Sequence, residues 1–60
     1  MINWYPISET MIGYTSDGSR IEIVDHPRIN FPWTVYYRGR PVTSTRTVEE
    51  AKEFVETHYD

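Results

Sequence analysis

Apolar residues in the last third of the chain recur at helical spacing. Val48, Ala51, Phe54 and Val55, followed by His58 or Tyr59, draw one stripe along a helix of about three turns. Glu49, Glu50, Lys52, Glu53 and Glu56 fall on the other side. Thr47-Val48-Glu49-Glu50 has the form of a capping box, in which the Thr47 hydroxyl accepts from the Glu50 N–H. The pattern predicts a helix over 48–58.

Upstream, the period changes to two. Trp33, Val35 and Tyr37 alternate with Thr34 and Tyr36 in a run rich in β-formers. Arg38-Gly39-Arg40 supplies a tight connection, its glycine free to take positive φ. Pro41–Thr45 reads as the returning strand, with Pro41 at its first position. Met11–Thr15 and Arg20–Val24 flank the turn signal Ser16-Asp17-Gly18-Ser19. Ile21 and Ile23 share the core side there, leaving Arg20 and Glu22 outside. Four strands and then a helix give an α+β fold, an antiparallel three- to four-stranded sheet packed on one C-terminal helix. The Phe54 stripe is expected on the side of the strands opposite Tyr36.

The reading is of a single domain over 1–60, with the sheet in 11–45 and the helical region in 47–59. Residues 1–10 hold Ile2, Trp4, Tyr5 and Ile7 but also Pro6, which fits an edge strand or an arm. Residues 26–32 are bracketed by Pro27 and Pro32, giving a stiffened loop that carries Ile29 and Phe31.

Sixty residues lie near the lower limit for a domain that folds alone. With no cysteine, disulfides and thiolate metal sites are excluded. Aromatics make up 15% of the chain, enough to fill a small core and leave some on the surface. No apolar run approaches the roughly 20 residues needed to cross a bilayer. The opening residues lack the basic and apolar regions of a signal peptide. A cytoplasmic protein with no membrane association is expected, and a homodimer is compatible with so small a core.

The net charge of −3 hides a division. All five arginines (20, 28, 38, 40 and 46) lie between residues 20 and 46, opposed only by Glu22 and Asp25. Beyond residue 46, Glu49, Glu50, Glu53, Glu56 and Asp60 face a single Lys52. A basic sheet and an acidic helix form a dipole able to orient a charged partner.

No catalytic set emerges. Asp25-His26 is the one adjacent acid–histidine pair, and it precedes Pro27 as a strand end would. The two histidines have no ligand-like spacing, so no metal is expected. Gly13, Gly18 and Gly39 are isolated, so no phosphate loop or cofactor site is expected. The chain reads as a non-enzyme.

Binding surfaces are better represented. In the hairpin 33–46, Arg38, Arg40 and Arg46 accompany Trp33, Tyr36 and Tyr37, with Arg20 on a neighbouring strand. Such a mixture suits protein hot spots and also nucleic acid. The Pro27–Pro32 loop presents Arg28, Ile29 and Phe31 with little ordering cost. The acidic helix face offers a third surface, directed to a basic protein.

The run Trp33–Arg40, followed by Thr45-Arg46-Thr47-Val48-Glu49-Glu50-Ala51-Lys52-Glu53-Phe54, resembles a pattern of small phage and mobile-element proteins. It is similar to the arm-type and AP2-like DNA-binding domains of integrases. That resemblance implies a three-stranded sheet entering the major groove with a helix behind it. Arg20, Glu22, Thr34, Tyr36, Thr43 and Thr45 would then face DNA. Those domains are usually basic, whereas this chain is acidic and places Glu22 on the reading face.

The residues together point to a non-catalytic protein-binding module, an accessory factor of phage or mobile-element type that modulates a host protein. The alternative is a sheet-reading DNA-binding domain. The candidate contact residues are Arg20, Arg28, Ile29, Phe31, Tyr36, Arg38, Arg40 and Arg46.

Overall fold

Two backbone features at the turns organise the sheet. Arg38 and Gly39 have φ of 53° and 83°, the left-handed pair of a two-residue turn whose twist matches that of the flanking strands. Gly18, at φ 86°, closes the loop 15–19, where Thr15 N–H donates to Ser19 O at 2.9 Å. The computed structural model describes all residues except Met1, Arg28, Ile29 and Asp60.

The strands are β1 (Tyr5–Ile7), β2 (Thr10–Tyr14), β3 (Arg20–Asp25), β4 (Trp33–Tyr37) and β5 (Arg40–Thr45), followed by helix α1 (Val48–His58). They form one antiparallel sheet in the order β1-β2-β3-β4-β5. The architecture is therefore α+β with five strands, one more than the upper expectation. The extra strand is β1, where Tyr5, Pro6 and Ile7 pair with Ile12, Met11 and Thr10. Pro6 is tolerated because β1 lies at the edge, where a missing N–H need break no ladder bond.

Register divides the side chains between two faces. Gly13 and Met11 pair with Ile21 and Ile23, which pair in turn with Tyr37 and Val35. This is the face that α1 covers. Ile21, Ile23, Val35, Ala51 and Val55 are fully buried, with Ile2 nearly so. Removing an isoleucine or valine side chain from water contributes about 1.5–3 kcal/mol. Val48, Phe54 and Tyr59 complete the helix stripe against this core, and Tyr37 stacks on Tyr59 at 4.4 Å between centroids.

The capping prediction holds, since Glu50 N–H donates to Thr47 Oγ1 at 3.1 Å. The Glu50 carboxylate meets the same hydroxyl at 3.4 Å. At the other end, Tyr59 N–H donates to Val55 O at 2.8 Å, and His58 Nδ1 bonds to Phe54 O at 2.9 Å.

α1 touches β3, β4 and β5. The helix side of β2 is covered instead by the N-terminal segment. A Cβ built on Gly13 would lie 2.6 Å from Ile2 Cγ2 and 2.9 Å from the Trp4 ring. Only a glycine lets Ile2 and Trp4 lie this close to the strand. Trp4 Nε1 donates to Glu56 Oε2 at 3.4 Å and ties the segment to the helix. Residues 2–7 thus serve as arm and edge strand in succession.

One parity expectation fails. Val35 pairs with Thr43 and Tyr36 with Pro41, so Val42 is an extra residue, a β-bulge in β5. The bulge resets the alternation, placing Thr43 and Thr45 on the helix side with Val35 and Trp33. They do not join Tyr36 on the opposite face, as the DNA-facing set required.

Candidate binding surface

The face away from α1 is built from the other half of each strand. One row across the sheet runs Tyr5, Ile12, Glu22, Tyr36 and Pro41, and the next runs Ile7, Thr10, Val24, Thr34 and Ser44. Tyr14 pairs with Arg20 beyond the first row. No helix or strand of the described residues covers this face. Tyr5, Ile7 and Tyr14 are 54%, 57% and 49% exposed. Ile12, by contrast, retains only 8% exposure although it lies outside the core cluster. In its row it lies between Tyr5 on β1 and Glu22 on β3.

The polar groups of this face are paired. Thr34 Oγ1 and Ser44 Oγ share a hydrogen bond at 3.1 Å. His26 Nε2 and the Tyr36 hydroxyl lie 3.3 Å apart, with their rings edge to face at 6.5 Å. Arg20 Nε approaches Glu22 Oε1 at 3.7 Å, a long contact between an exposed and a half-buried side chain, so the pair adds little stability. Arg20 and Glu22 are the charged residues that register places here, and their charges cancel.

Both edges of the sheet are blunted. β1 has three residues with Pro6 at its centre, and β5 carries Pro41 and the bulge at Val42. Proline and bulges interrupt the row of donors that an added strand needs.

The expected contact residues separate into three groups. Arg20 and Tyr36 lie on the open face. Arg38 and Arg40 stand at the β4–β5 turn, where Arg38 N–H donates to Arg20 O at 3.1 Å and brings the three arginines to one end. Phe31 and Arg46 meet at the far end, the guanidinium 5.4 Å from the ring centroid. Arg28 and Ile29 lie outside the described residues.

Arg38 is engaged locally. Its Nε donates to Ser19 Oγ at 3.0 Å, and its guanidinium lies 5.6 Å from the Tyr37 centroid. The loop 15–19 that Arg38 reaches holds the Asp17 carboxyl down at about 2. The Thr15 hydroxyl is the main cause, followed by the backbone and side chain of Ser19, with a smaller contribution from Arg38.

Sequence reasoning missed Tyr5, Ile7 and Tyr14. A signal was present in the Tyr5/Ile7 and Ile12/Tyr14 alternation, but Pro6 between the first two obscured it.

No three-group cluster of His, Cys, Asp or Glu suited to a metal occurs among the described residues. The larger surface depression, about 410 Å³, lies by the helix between Thr45, Glu50, Glu53, Phe54, Thr57 and His58. A smaller one, about 280 Å³, lies beside Phe31 and Arg46. The first lies away from the open face, and the second reaches it only at Ser44. Among the described residues, no helix is long and apolar enough to cross a membrane.

The fold and surface define a small α+β domain, a five-stranded antiparallel meander with one face covered and an aromatic face left open. Comparison with family models, curated proteins and solved structures gives no match to this chain.

Proposed function

We propose that the chain is a non-catalytic protein-binding module and that the open sheet face is its contact surface. The observation that carries this reading is the exposure of Tyr5, Ile7 and Tyr14 together on a sheet whose edges are both blunted. Tyrosine supplies large contact area at small entropic cost, and a face with balanced charge suits a protein better than a polyanion. Low net charge and the resemblance to small phage and mobile-element proteins support a role as an accessory factor acting on a host protein.

Affinity capture from cell lysate tests the reading, with wild-type, Tyr14→Glu and Glu53→Ala baits compared. Wild type and Glu53→Ala are expected to retain the same protein and Tyr14→Glu to lose it. Capture indifferent to Tyr14→Glu, or no capture at all, contradicts the reading.

The meeting of Arg20, Arg38 and Arg40 at one end favours a second reading, DNA binding by the sheet. Glu22 opposes Arg20, Arg38 is held by Ser19 and Tyr37, and Thr43 and Thr45 face the helix. All three observations weaken phosphate and base contact. DNA binding predicts mobility shifts that fade as salt rises, with Arg40→Ala lowering the salt slope by about one. No shift at low salt eliminates it.

A further inference from the structure

We propose that two copies of this chain associate open face to open face about a two-fold axis. The inference rests on reading that face as the contact surface and commits its occupant, in the absence of another partner, to a second copy.

Three observations lead to it. The first is charge. A two-fold contact is self-complementary, so residue i of one copy meets j of the other and j meets i. The open face carries one cation and one anion, Arg20 and Glu22, two residues apart on β3. Turned against its own copy, such a face can place each arginine near the opposing glutamate, giving two pairs and no unmatched charge. A partner with a surface of one sign would leave one of the two opposed.

The second observation is the pair of edges. Pro6 at one and Pro41 with the Val42 bulge at the other disfavour continuation of the sheet into a neighbour. Face contact is left, and it closes at two copies.

The third is area. Five strands about 4.8 Å apart and about five residues long present a face of roughly 400 Å² in plan. Side-chain relief raises this, and two copies bury on the order of 1,000 Å² in total, the lower bound for a specific interface. The expected complex is a reversible dimer with Kd in the micromolar range or above. Ile12, itself buried, lies beside Glu22 within this face, with Tyr5, Ile7, Tyr14 and Tyr36 around them.

Sedimentation equilibrium of the purified chain over a concentration series tests the proposal. The weight-average mass of wild type is expected to rise from 7.2 kDa toward twice that value. Ile7→Glu, at an exposed position, should keep the wild-type circular dichroism spectrum and remain monomeric. A charge test separates a two-fold contact from general stickiness. R20E and E22R should each dimerise at least about tenfold more weakly than wild type, whereas their equimolar mixture should recover mass as a heterodimer. A wild-type mass that stays monomeric, an Ile7→Glu variant that dimerises equally well, or a mixture no heavier than its components overturns the proposal. If wild type is monomeric while lysate capture still depends on Tyr14, self-association falls and the protein-binding reading stands. Failure of both removes the open face as a contact surface.

Discussion

The two faces of this sheet are made from similar side chains and differ in what lies against them. The helix face sets Ile21, Ile23 and Val35 under α1 and the Ile2–Trp4 segment, with no exposure left. The open face sets Ile7, Ile12, Tyr5, Tyr14 and Tyr36 on the same strands, with Ile12 buried, Tyr36 half-buried, and Tyr5, Ile7 and Tyr14 exposed. A strand with side-chain period two supplies both sets at once, and the single helix can cover one of them. Hydrophobicity alone therefore does not identify the core of so small a chain. The covering elements decide which apolar residues stabilise the fold and which remain for a partner.

The same substitution on each face gives the sharpest contrast. Ile23→Ala is expected to cost about 2–5 kcal/mol, because it opens a cavity in the packed core. A domain of this size has only about 3–9 kcal/mol in total. Ile7→Ala, at 57% exposure, should stay within about 0.5 kcal/mol. Urea unfolding monitored by circular dichroism checks both, and equal effects would erase the distinction between the faces.

Gly13 tests the part of the cover that is not helix. Gly13→Ala drives a methyl into Ile2 and the Trp4 ring, and displacing that segment should cost about 1–3 kcal/mol. Ile2→Ala in the same chain should relieve part of the clash, so the double mutant should fall short of the sum. Additive losses would show that the segment does not lie over β2.

Thr47→Ala removes the acceptor for Glu50 N–H and should cost about 1 kcal/mol. It lowers α1 stability without altering the open face, so partner capture should persist at temperatures well below unfolding.

The smallest effect concerns acid. The Asp17 carboxyl is held at about 2 in the fold against an ordinary 3.8, so its stabilising contribution is present above the ordinary value. It disappears as pH falls from about 3.8 to about 2. Asp17→Asn should flatten that part of the stability–pH curve and leave neutral pH binding intact. An unchanged acid limb would show that the turn does not hold the carboxyl as described.

The helix and the central strands were legible because their signals are local. Thr47 caps, Phe54 joins a 3.6-period stripe, and Trp33, Val35 and Tyr37 alternate with few interruptions. The fifth strand was legible only as one of two alternatives, since residues 1–10 fit an edge strand or an arm and the structure makes residues 5–7 the edge strand. Pro6 removes a donor and argues against a strand unless the position is known to be an edge, and edges are set by the whole sheet. The bulge at Val42 was hidden, since nothing in Pro41-Val42-Thr43 marks an extra residue. Unbroken alternation puts Thr43 and Thr45 on the open face, whereas the bulge turns them to the helix side. Of the expected contact residues, Arg20 and Tyr36 share the open face because both alternate with core residues. Arg38, Arg40, Phe31 and Arg46 sit at opposite ends of the sheet, a separation that follows from strand direction and not from sequence proximity. Tyr5 and Ile7 stand out near the start of the chain and Tyr14 lies in the predicted strand 11–15, but their side of the sheet depends on which face the helix takes.

Methyl NMR of the purified chain with a soluble paramagnetic probe, at low and at high protein concentration, addresses the central claim directly. At low concentration the Ile7 methyls should be strongly broadened, while those of Ile21, Ile23 and Val35 remain sharp. At high concentration Ile7 should become protected as the core methyls already are. Broadening of Ile23 equal to that of Ile7 at low concentration would contradict the division into covered and open faces. Protection of Ile7 at every concentration would show that the face assigned to a partner is already buried within the single chain.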